Sequence, residues 1–289
     1  HIAEDDRHAL LITRNIVREL GQAPASRRRQ EPARPPRFDP AEIYGVISRD
    51  PKFPTDTREI LARLVDDSEF QEFKPNYGET LLTGFARIHG YEIGILANNG
   101  VLFPESAMKG THFISLCCQR DVPLLFMSDV TGFMVGKDVE QAGIAKHGAK
   151  MITAMSSAKV PKYTLNIGAS YGAGYLAMCG RAFKPTAMFA WPSGRSAIMG
   201  PEQAAMVLSL VRETNLKAEG KSWSEDEKEA FKAPVRKIYE DFQGAYNFSA
   251  NGWIDGVIDP LETRGTLALL LELAARVPAK KTDFGVFRF

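Results

Sequence analysis

The sequence predicts an α/β protein built on a largely parallel β-sheet. Short apolar segments typical of strands alternate along the chain with segments whose apolar residues recur at helical spacing. Such alternation indicates parallel strands connected by helices. The composition agrees, because 44% hydrophobic and 25% charged residues are ordinary for a globular protein and exclude wholesale disorder or a collagen-like chain. The 289 residues correspond to one large domain or two small ones.

The first quarter of the chain predicts two helices around a linker. Residues 8–20 have apolar residues near helical spacing, and Gly21 follows them as a stop signal. Several prolines and an arginine run in residues 22–40 predict an exposed linker. Residues 54–57 then predict the capped start of a helix that extends to about Val65.

The middle of the chain predicts the sheet. Residues 79–98 alternate in polarity like two strands that are joined at His89-Gly90. The elements predicted after this hairpin are a helix near 106–119, a strand at 123–128, a helix near 139–157, a strand at 163–167, a short helix from Gly172 and a strand at 188–191. Parallel neighbours in this order require crossover connections, which the predicted helices supply.

The last third predicts helices. Residues 201–242 have a helical pattern, and Ser222-Trp223-Ser224 before three acidic residues predicts the start of a new helix within them. Residues 260–276 predict another helix, with Pro260 near its first turn. The final six residues, 284–289, are apolar enough that we expect them to pack against the body of the protein.

Charge, cysteine content and hydropathy exclude several classes of protein. Lys and Arg number 36 against 35 Asp and Glu, whereas a nucleic-acid-binding protein usually has a large basic excess. The 3 cysteines lack C-x-x-C spacing and metal-ligand spacing is absent, so we expect no disulfide framework, no metal site and a reduced, intracellular setting. No apolar run is long enough to predict a membrane span, and the acidic start does not predict a signal peptide. The chain begins at His1 without an initiator methionine, so its length need not be that of the gene product.

Residues 168–172 match the G-x-S-x-G pattern of a nucleophile elbow and follow a predicted strand. This match supports the hypothesis of a serine hydrolase with Ser170 as nucleophile. In the hydrolase fold that uses this elbow, the catalytic histidine follows the serine in the sequence. All 5 histidines of this chain precede Ser170. A triad in another order is geometrically possible, so the hydrolase remains an alternative.

Two further residues invite a chemical interpretation. Lys109 in Ala107-Met108-Lys109 resembles the biotinylated lysine of carrier proteins, but it lies on a predicted helix rather than a β-turn, and we expect it to be unmodified. Asp129 ends a predicted strand, where catalytic groups occur, and it could equally cap a loop. The sequence leaves both roles of Asp129 open.

Three glycine-containing loops follow successive predicted strands, at residues 98–102, 129–136 and 168–175. Ligands of open α/β sheets bind outside the carboxyl ends of the strands, and glycine allows a ligand to approach the backbone closely. The first N–H groups of a helix lack partners and are suited to holding an oxyanion. The loops therefore predict an enzyme that stabilises an enolate-like charge with backbone amides. The alternative is that the glycines only permit tight turns.

Long motifs surround these loops at residues 95–114, 117–126, 131–136, 143–154, 168–183, 190–192, 199–205 and 284–289. In them the sequence resembles the carboxyltransferase (β) subunits of biotin-dependent acyl-CoA carboxylases, in the branch of methylcrotonoyl-CoA and geranyl-CoA carboxylases. The resemblance extends over essentially the whole chain. It implies a crotonase-like α/β fold, a spiral of ββα units. It also implies that residues 1–20 are the tail of an N-terminal carboxyltransferase domain, 21–50 a connector and 51–289 a C-terminal carboxyltransferase domain.

The activity that the resemblance implies is transfer of CO2 from carboxybiotin to a branched or unsaturated acyl-CoA. Biotin would be carried by a biotin carboxylase/carrier partner subunit and not be attached to this chain, and no metal would be needed. The active site would lie at a dimer interface of a homo-oligomer. The compartment would be the cytoplasm in a bacterium or the mitochondrial matrix in a eukaryote. A non-catalytic fragment is the remaining alternative.

The resemblance also implies site residues. The backbone N–H groups of Ala173 and Gly174 would hold the biotin oxygen, and Gly172 would permit their turn. Gly132, Phe133 and Ala107 would be further neighbours of biotin.

The acyl group would meet Tyr175 and Leu176. Position 176 is where propionyl-type enzymes carry an acid, so the apolar Leu176 favours a bulkier apolar acyl group. On this view Ser170 is a turn residue whose hydroxyl caps the following helix.

Overall fold

A mixed β-sheet of 8 strands forms the centre of the computed structural model, which describes residues 1–20, 29, 31–48 and 55–287. The strands are β1 (Gln71–Glu72), β2 (Leu81–Ile88), β3 (Tyr91–Asn98), β4 (Leu124–Val130), β5 (Lys162–Tyr171), β6 (Ala187–Ala190), β7 (Arg195–Ala197) and β8 (Gly256–Val257). Their order is β1-β2-β3-β4-β5-β6-β8, and β7 pairs with β5. The hairpin pair β2–β3 is antiparallel and β3, β4, β5 and β6 pair in parallel, as the sequence predicts. The short strands β1, β7 and β8 are not predicted by the sequence; β1 pairs with β2 antiparallel, and β7 and β8 pair in parallel.

Helices connect and cover the strands. They are α1 (Asp6–Leu20), α2 (Ile43–Val46), α3 (Thr57–Leu61), α4 (Pro104–Gln119), α5 (Lys137–Gln141), α6 (Ile144–Ser157), α7 (Gly172–Ala177), α8 (Pro201–Ala218), α9 (Glu225–Phe242), α10 (Ala245–Ala250) and α11 (Thr263–Ala275). Short 3₁₀ helices lie at Pro40–Glu42, Asp66–Ser68, Arg181–Phe183 and Pro260–Glu262. The succession β2, β3, α4 is a ββα unit.

The hairpin between β2 and β3 lies where the sequence predicts it. His89 and Gly90 form its turn with φ of 51° and 78°, the positive angles that two-residue hairpin turns favour. The Asp66 carboxylate accepts hydrogen bonds from both turn amides, at 2.9 and 2.7 Å. Gly90 also allows the carbonyl of Glu31 to lie where a side chain would begin.

The core lies on both faces of the sheet, because successive strand residues point to opposite sides. On one face Ile95, Met127 and Leu165 pack against α3 and α11. On the other face Leu96 and Phe126 pack against α4 and α6. Phe284 and Phe287 join this second cluster, as expected for the apolar end of the chain, whereas Val286 is exposed and residues 288–289 lie outside the described residues.

Three predicted boundaries differ from the structure. The helix predicted near 139–157 is two helices, α5 and α6, because Gly143 adopts a left-handed φ of 84° between them. The helix predicted over 54–65 is shorter: α3 covers Thr57–Leu61 and is capped by Asp56. The strand predicted at 163–167 extends to Tyr171, which places Ser170 within β5.

Part of the predicted linker and connector lies outside the described residues, namely 21–28, 30 and 49–50, and so do residues 51–54, which include the first residue of the predicted helix start. Residues 31–39 contain no helix or strand. They are held to the body by contacts such as the ion pair of Arg34 with Asp67, at 2.7 Å.

Lys109 is buried inside the fold, on α4. Its side chain is 0% exposed, and its Nζ lies 3.7 Å from a Glu72 oxygen without hydrogen-bonding to any described residue. Burial lowers the pKa of Lys109, although Glu72 acts in the opposite direction. Glu72 is also held by Arg58, at 3.1 Å. Burial leaves the Lys109 amine inaccessible to a modifying enzyme.

Replacement of Lys109 by methionine is expected to raise the free energy of unfolding by about 1–3 kcal/mol near neutral pH, because it removes a poorly paired buried charge. Methionine fills the same unbranched space, and Arg58 still pairs with Glu72. Since the pKa of Lys109 is lower in the folded chain, the wild type gains stability as pH rises through the titration of Lys109, and the difference between the two proteins shrinks. Urea unfolding at neutral and alkaline pH measures both effects. The exposed Lys146→Met is the matched control, and a K109M protein less stable than wild type would contradict the argument.

Candidate functional site

The first two glycine loops are paired to each other at the carboxyl ends of β3 and β4. Leu102 N–H donates to the Gly132 carbonyl at 3.1 Å, and Met134 N–H donates to the Leu102 carbonyl at 2.8 Å. Leu102 and Phe133 form an isolated parallel bridge. The loop that follows β4 is thus held to the loop that follows β3 by backbone hydrogen bonds.

The third loop packs onto the second through two glycines. A Cβ on Gly174 would lie 3.0 Å from the Cα of Gly132 and 3.1 Å from a methyl group of Val130, so only glycine allows α7 to approach this closely. Gly172 has a φ of 53°, and a Cβ there would lie 2.8 Å from the carbonyl oxygen of Ile198. The structure therefore brings together the loops that the sequence predicts to gather.

The beginning of α7 presents free backbone donors. Helix α7 starts at Gly172, so its first N–H groups have no acceptor within the helix. The preceding residue, Tyr171, provides no side-chain cap. Ala173 and Gly174 both belong to this first turn, where the helix offers no acceptor for their N–H groups. Ala173 is exposed. At the neighbouring Gly132, a Cβ would meet no atom within 4 Å, so the space beside the turn is open. The turn can therefore donate two hydrogen bonds to a negatively charged oxygen.

The other predicted biotin neighbours differ in accessibility. Phe133 is half-buried and its ring packs on α6, where a Cβ on Gly148 would lie 3.3 Å from it. Ala107 is fully buried, and its N–H donates to the Phe103 carbonyl at 3.0 Å. Ala107 therefore lies in the layer beneath the loops, without a free backbone donor.

The predicted acyl-binding residues lie further along α7. The Tyr175 ring packs over Gly180, and its hydroxyl accepts a hydrogen bond from Arg181 N–H at 2.8 Å. Burial raises the pKa of Tyr175. The ring and hydroxyl of Tyr175 are therefore used in packing α7 against the residues that follow it. Leu176 is half-buried.

Ser170 lies inside the sheet rather than at an exposed elbow. Its neighbours across the ladders are Val130 of β4 and Ser196 of β7. Its hydroxyl is 2.8 Å from the Ser128 hydroxyl, both side chains are buried, and no described histidine hydrogen-bonds to it. A nucleophile elbow requires an exposed serine at a strand-to-helix turn. The structure therefore gives no support to the hydrolase hypothesis, and the predicted helix cap by Ser170 is wrong because its hydroxyl is used within the sheet.

Sequence reasoning missed Val130 and Ile198, which supply the surfaces against Gly174 and Gly172. The glycines signal that something approaches closely, but nothing in the sequence identifies the partner. Ile198 itself is 76% exposed. The helix that follows it, α8, exposes further apolar side chains, at Met206, Val207, Leu208, Leu210 and Val211. An exposed apolar surface of this kind indicates an interaction site.

A cavity of about 470 Å³ lies between α1 and the β1–β2 edge, away from the glycine loops. Among the residues that the structure describes, no group of three or more His, Cys, Asp or Glu side chains could hold a metal ion. No described helix has the length and hydropathy needed to cross a membrane.

Comparison with known proteins gives the family. The family model of the carboxyl transferase domain matches residues 1–285 of this sequence. The biotin-dependent 3-methylcrotonyl-CoA carboxylase β1 subunit of Mycobacterium tuberculosis is 51% identical over 288 residues, which are 100% of this chain and 54% of that protein. The chain thus spans about half the length of the curated relatives that it matches.

Solved structures agree with the sequence comparison. The β subunit of geranyl-CoA carboxylase from P. aeruginosa superposes with a TM-score of 0.79 at 40% identity, covering 100% of this chain and 55% of that one. The transcarboxylase 12S subunit, solved as a hexamer with hydrolysed methylmalonyl-CoA bound, superposes with a TM-score of 0.82 at 35% identity, covering 98% and 55%. Both have the crotonase-like fold, which confirms that expectation. The chain belongs to the carboxyl transferase domain family.

Proposed function

We propose that this chain contributes to the carboxyltransferase half-reaction of a biotin-dependent acyl-CoA carboxylase. The observation that carries the proposal is that the N–H groups of Ala173 and Gly174 lie in the uncapped first turn of α7, next to the open space at Gly132, in a member of the carboxyl transferase family. Because the chain spans about half the length of its relatives, the complete activity belongs to the longer protein.

The residues of the turn suit the ureido group of biotin. When bound, carboxybiotin would supply the carboxyl group by breaking its N–C bond, and the freed ureido nitrogen would be the base for the proton that leaves the acyl-CoA. Ala173 and Gly174 would donate hydrogen bonds to its oxygen, and Gly132 and Phe133 would form the adjacent wall. Removing one donor from such a site costs about 3–4 kcal/mol of transition-state stabilisation. Gly172 would set the direction of both N–H groups through its left-handed conformation.

The acyl substrate is proposed to be branched or unsaturated, such as 3-methylcrotonoyl-CoA. Leu176 supports this choice. Its apolar side chain, just beyond the turn, favours a bulkier apolar acyl group, whereas propionyl-type enzymes carry an acidic residue at this position. The name of the M. tuberculosis relative agrees with it. Tyr175 would support the wall behind Leu176. Its hydroxyl already accepts a hydrogen bond from Arg181 N–H and would not contact the substrate.

The proposed organisation follows the family. Residues 1–20 would be the tail of an N-terminal carboxyltransferase domain, 21–50 a connector and 51–289 the C-terminal domain. The exposed apolar side chains of α8, together with the exposed Ile198 whose carbonyl lies against Gly172 of the turn, support a homo-oligomer whose active site is completed by another subunit. A biotin carboxylase/carrier subunit would bring the biotin. The compartment would be the bacterial cytoplasm or the mitochondrial matrix.

A carboxylation assay tests the proposal. The full-length subunit that contains this chain, together with its biotin-carrying partner, is expected to incorporate labelled bicarbonate into 3-methylcrotonoyl-CoA in the presence of ATP, and much less into propionyl-CoA. Carboxylation of biotin by the partner alone is the control for a functional assay. Absence of transfer to every branched or unsaturated acyl-CoA, by folded protein with an active partner, would refute the proposal. The isolated 289-residue chain is expected to be inactive.

Ser170→Ala is expected to retain carboxyl transfer within about threefold, since Ser170 lies in the sheet and its loss leaves only the Ser128 hydroxyl without a partner. A fluorophosphonate probe is expected to leave Ser170 of the wild type unlabelled. Labelling at this residue would revive the hydrolase hypothesis, and loss of carboxyl transfer in a folded S170A protein would contradict a purely structural role for Ser170.

A further inference from the structure

Asp129 connects the end of β4 to the backbone of β5 just before the turn. One of its carboxylate oxygens accepts a hydrogen bond from Ala169 N–H at 2.8 Å. The same oxygen would lie 2.3 Å from a Cβ on Gly168, so the carboxylate occupies the space that a side chain would need at that position. The glycine and the carboxylate are therefore complementary.

The contact lies where the pairing of β4 with β5 changes register. Ser128 is opposite Asn166, and the next pair is Val130 with Ser170. A single residue of β4, Asp129, is thus opposite residues 167–169 of β5. Such a bulge leaves backbone groups unpaired and bends the strand. Asp129 supplies the partner for one of them.

Everything downstream of the bulge leads directly to the turn. Residues 169–171 pair with β7, and α7 begins at the next residue, Gly172. Val130, the neighbour of Asp129, is also the residue whose methyl groups lie against Gly174. The position of the Ala173 and Gly174 amides relative to Gly132 therefore depends on how the bulge is held.

We propose that Asp129 is a positioning residue, which fixes the β5 bulge through Ala169 N–H and thereby aims the Ala173 and Gly174 N–H groups at the oxygen they bind. This inference rests on the proposed function. It decides between the two roles that the sequence leaves open, since Asp129 caps a backbone amide and acts on the site through it.

The surroundings of Asp129 agree with a structural acceptor rather than an acid or base. Burial raises its pKa, while the hydrogen bond from Ala169 and the charge of Arg195 lower it. The carboxylate is engaged with the backbone of β5. What the site needs from Asp129 is one oxygen acceptor in one place, and an amide can supply that as well as a carboxylate.

The test compares Asp129→Ala with Asp129→Asn in the full-length subunit with its partner. The alanine variant is expected to lower kcat for carboxyl transfer about 10–100-fold with little change in KM for acyl-CoA, because the donors are misplaced while acyl binding is kept. The asparagine variant retains the acceptor for Ala169 N–H and is expected to restore most of kcat. Amide hydrogen exchange over residues 169–174 is expected to rise in D129A and to remain near the wild-type rate in D129N.

Asp259→Ala is the matched control, because Asp259 also accepts a backbone N–H at 2.8 Å, from Leu261, at the start of the 3₁₀ helix Pro260–Glu262 rather than in the glycine loops. It is expected to lose stability without loss of kcat. A D129A protein with wild-type kcat and exchange, or a D129N protein as impaired as D129A, would overturn the inference. If the unsubstituted protein transfers no carboxyl group, the proposed function fails instead, and the exchange measurement still tests the role of Asp129.

Discussion

Ala173→Pro is expected to lower kcat for carboxyl transfer by about 10²–10³-fold, the usual effect of removing one donor from an oxyanion site. Proline has no N–H, and its φ suits the first turn of a helix, so the substitution removes a donor without unfolding α7. Ala173 is exposed, which leaves room for the ring. The measurement is kcat of the full-length subunit with its partner.

Ala173→Ser is the control, since it changes the side chain and keeps the backbone donor. We expect A173S to transfer at close to the wild-type rate, and thermal unfolding to report similar stability for both variants. Near-normal transfer by A173P would exclude Ala173 from oxyanion binding. Equal damage in A173S and A173P would point to the side chain or to the fold.

Trp191→Ala is expected to lower the free energy of unfolding by about 3–5 kcal/mol, the range for truncating a buried aromatic side chain. Trp191 is fully buried in the cluster between the sheet and α11, and its indole N–H donates to the Thr263 hydroxyl at 2.8 Å. Truncation leaves a cavity and a hydroxyl without its donor. Urea unfolding of the 289-residue chain measures the change.

Trp253→Ala is the matched comparison, because Trp253 is half exposed and packs on Phe248 at the surface. W253A is expected to lower the free energy of unfolding by markedly less than W191A. If the two substitutions lower the free energy of unfolding equally, the contribution of Trp191 does not come from the core that links the sheet to α11.

Those parts of the fold that depend on local chemistry can be predicted from the sequence. The His89-Gly90 turn is an example, since few residue pairs accept its positive φ angles. The start of α9 is another, because the sequence predicts a new helix at residues 222–224, and in the structure Ser224 caps it through a capping box with Glu227. The gathering of the glycine loops follows from the parallel sheet in the same way.

Features set by partners distant in the sequence escape prediction. The extension of β5 to Tyr171 depends on β7, which begins 24 residues later, at Arg195, and pairs with residues 169–171. The sequence alone therefore placed Ser170 at an elbow. Gly143 interrupts the predicted helix because of its backbone conformation, although an isolated glycine within a helical pattern is often tolerated. The contact of Asp129 with Ala169 depends on the register shift, which no local pattern reveals.

The divided pairing of β5 has a consequence for the order in which the chain is made. The early residues of β5 pair with β6 and the last three with β7, and both partners are synthesised after β5. Until they emerge from the ribosome, β5 is an open edge with unpaired backbone groups, the kind of surface on which nascent chains associate wrongly. Ile198, which closes the turn at Gly172, is made later still. The turn that we assign to biotin binding is thus among the last parts of the sheet region that a growing chain can complete.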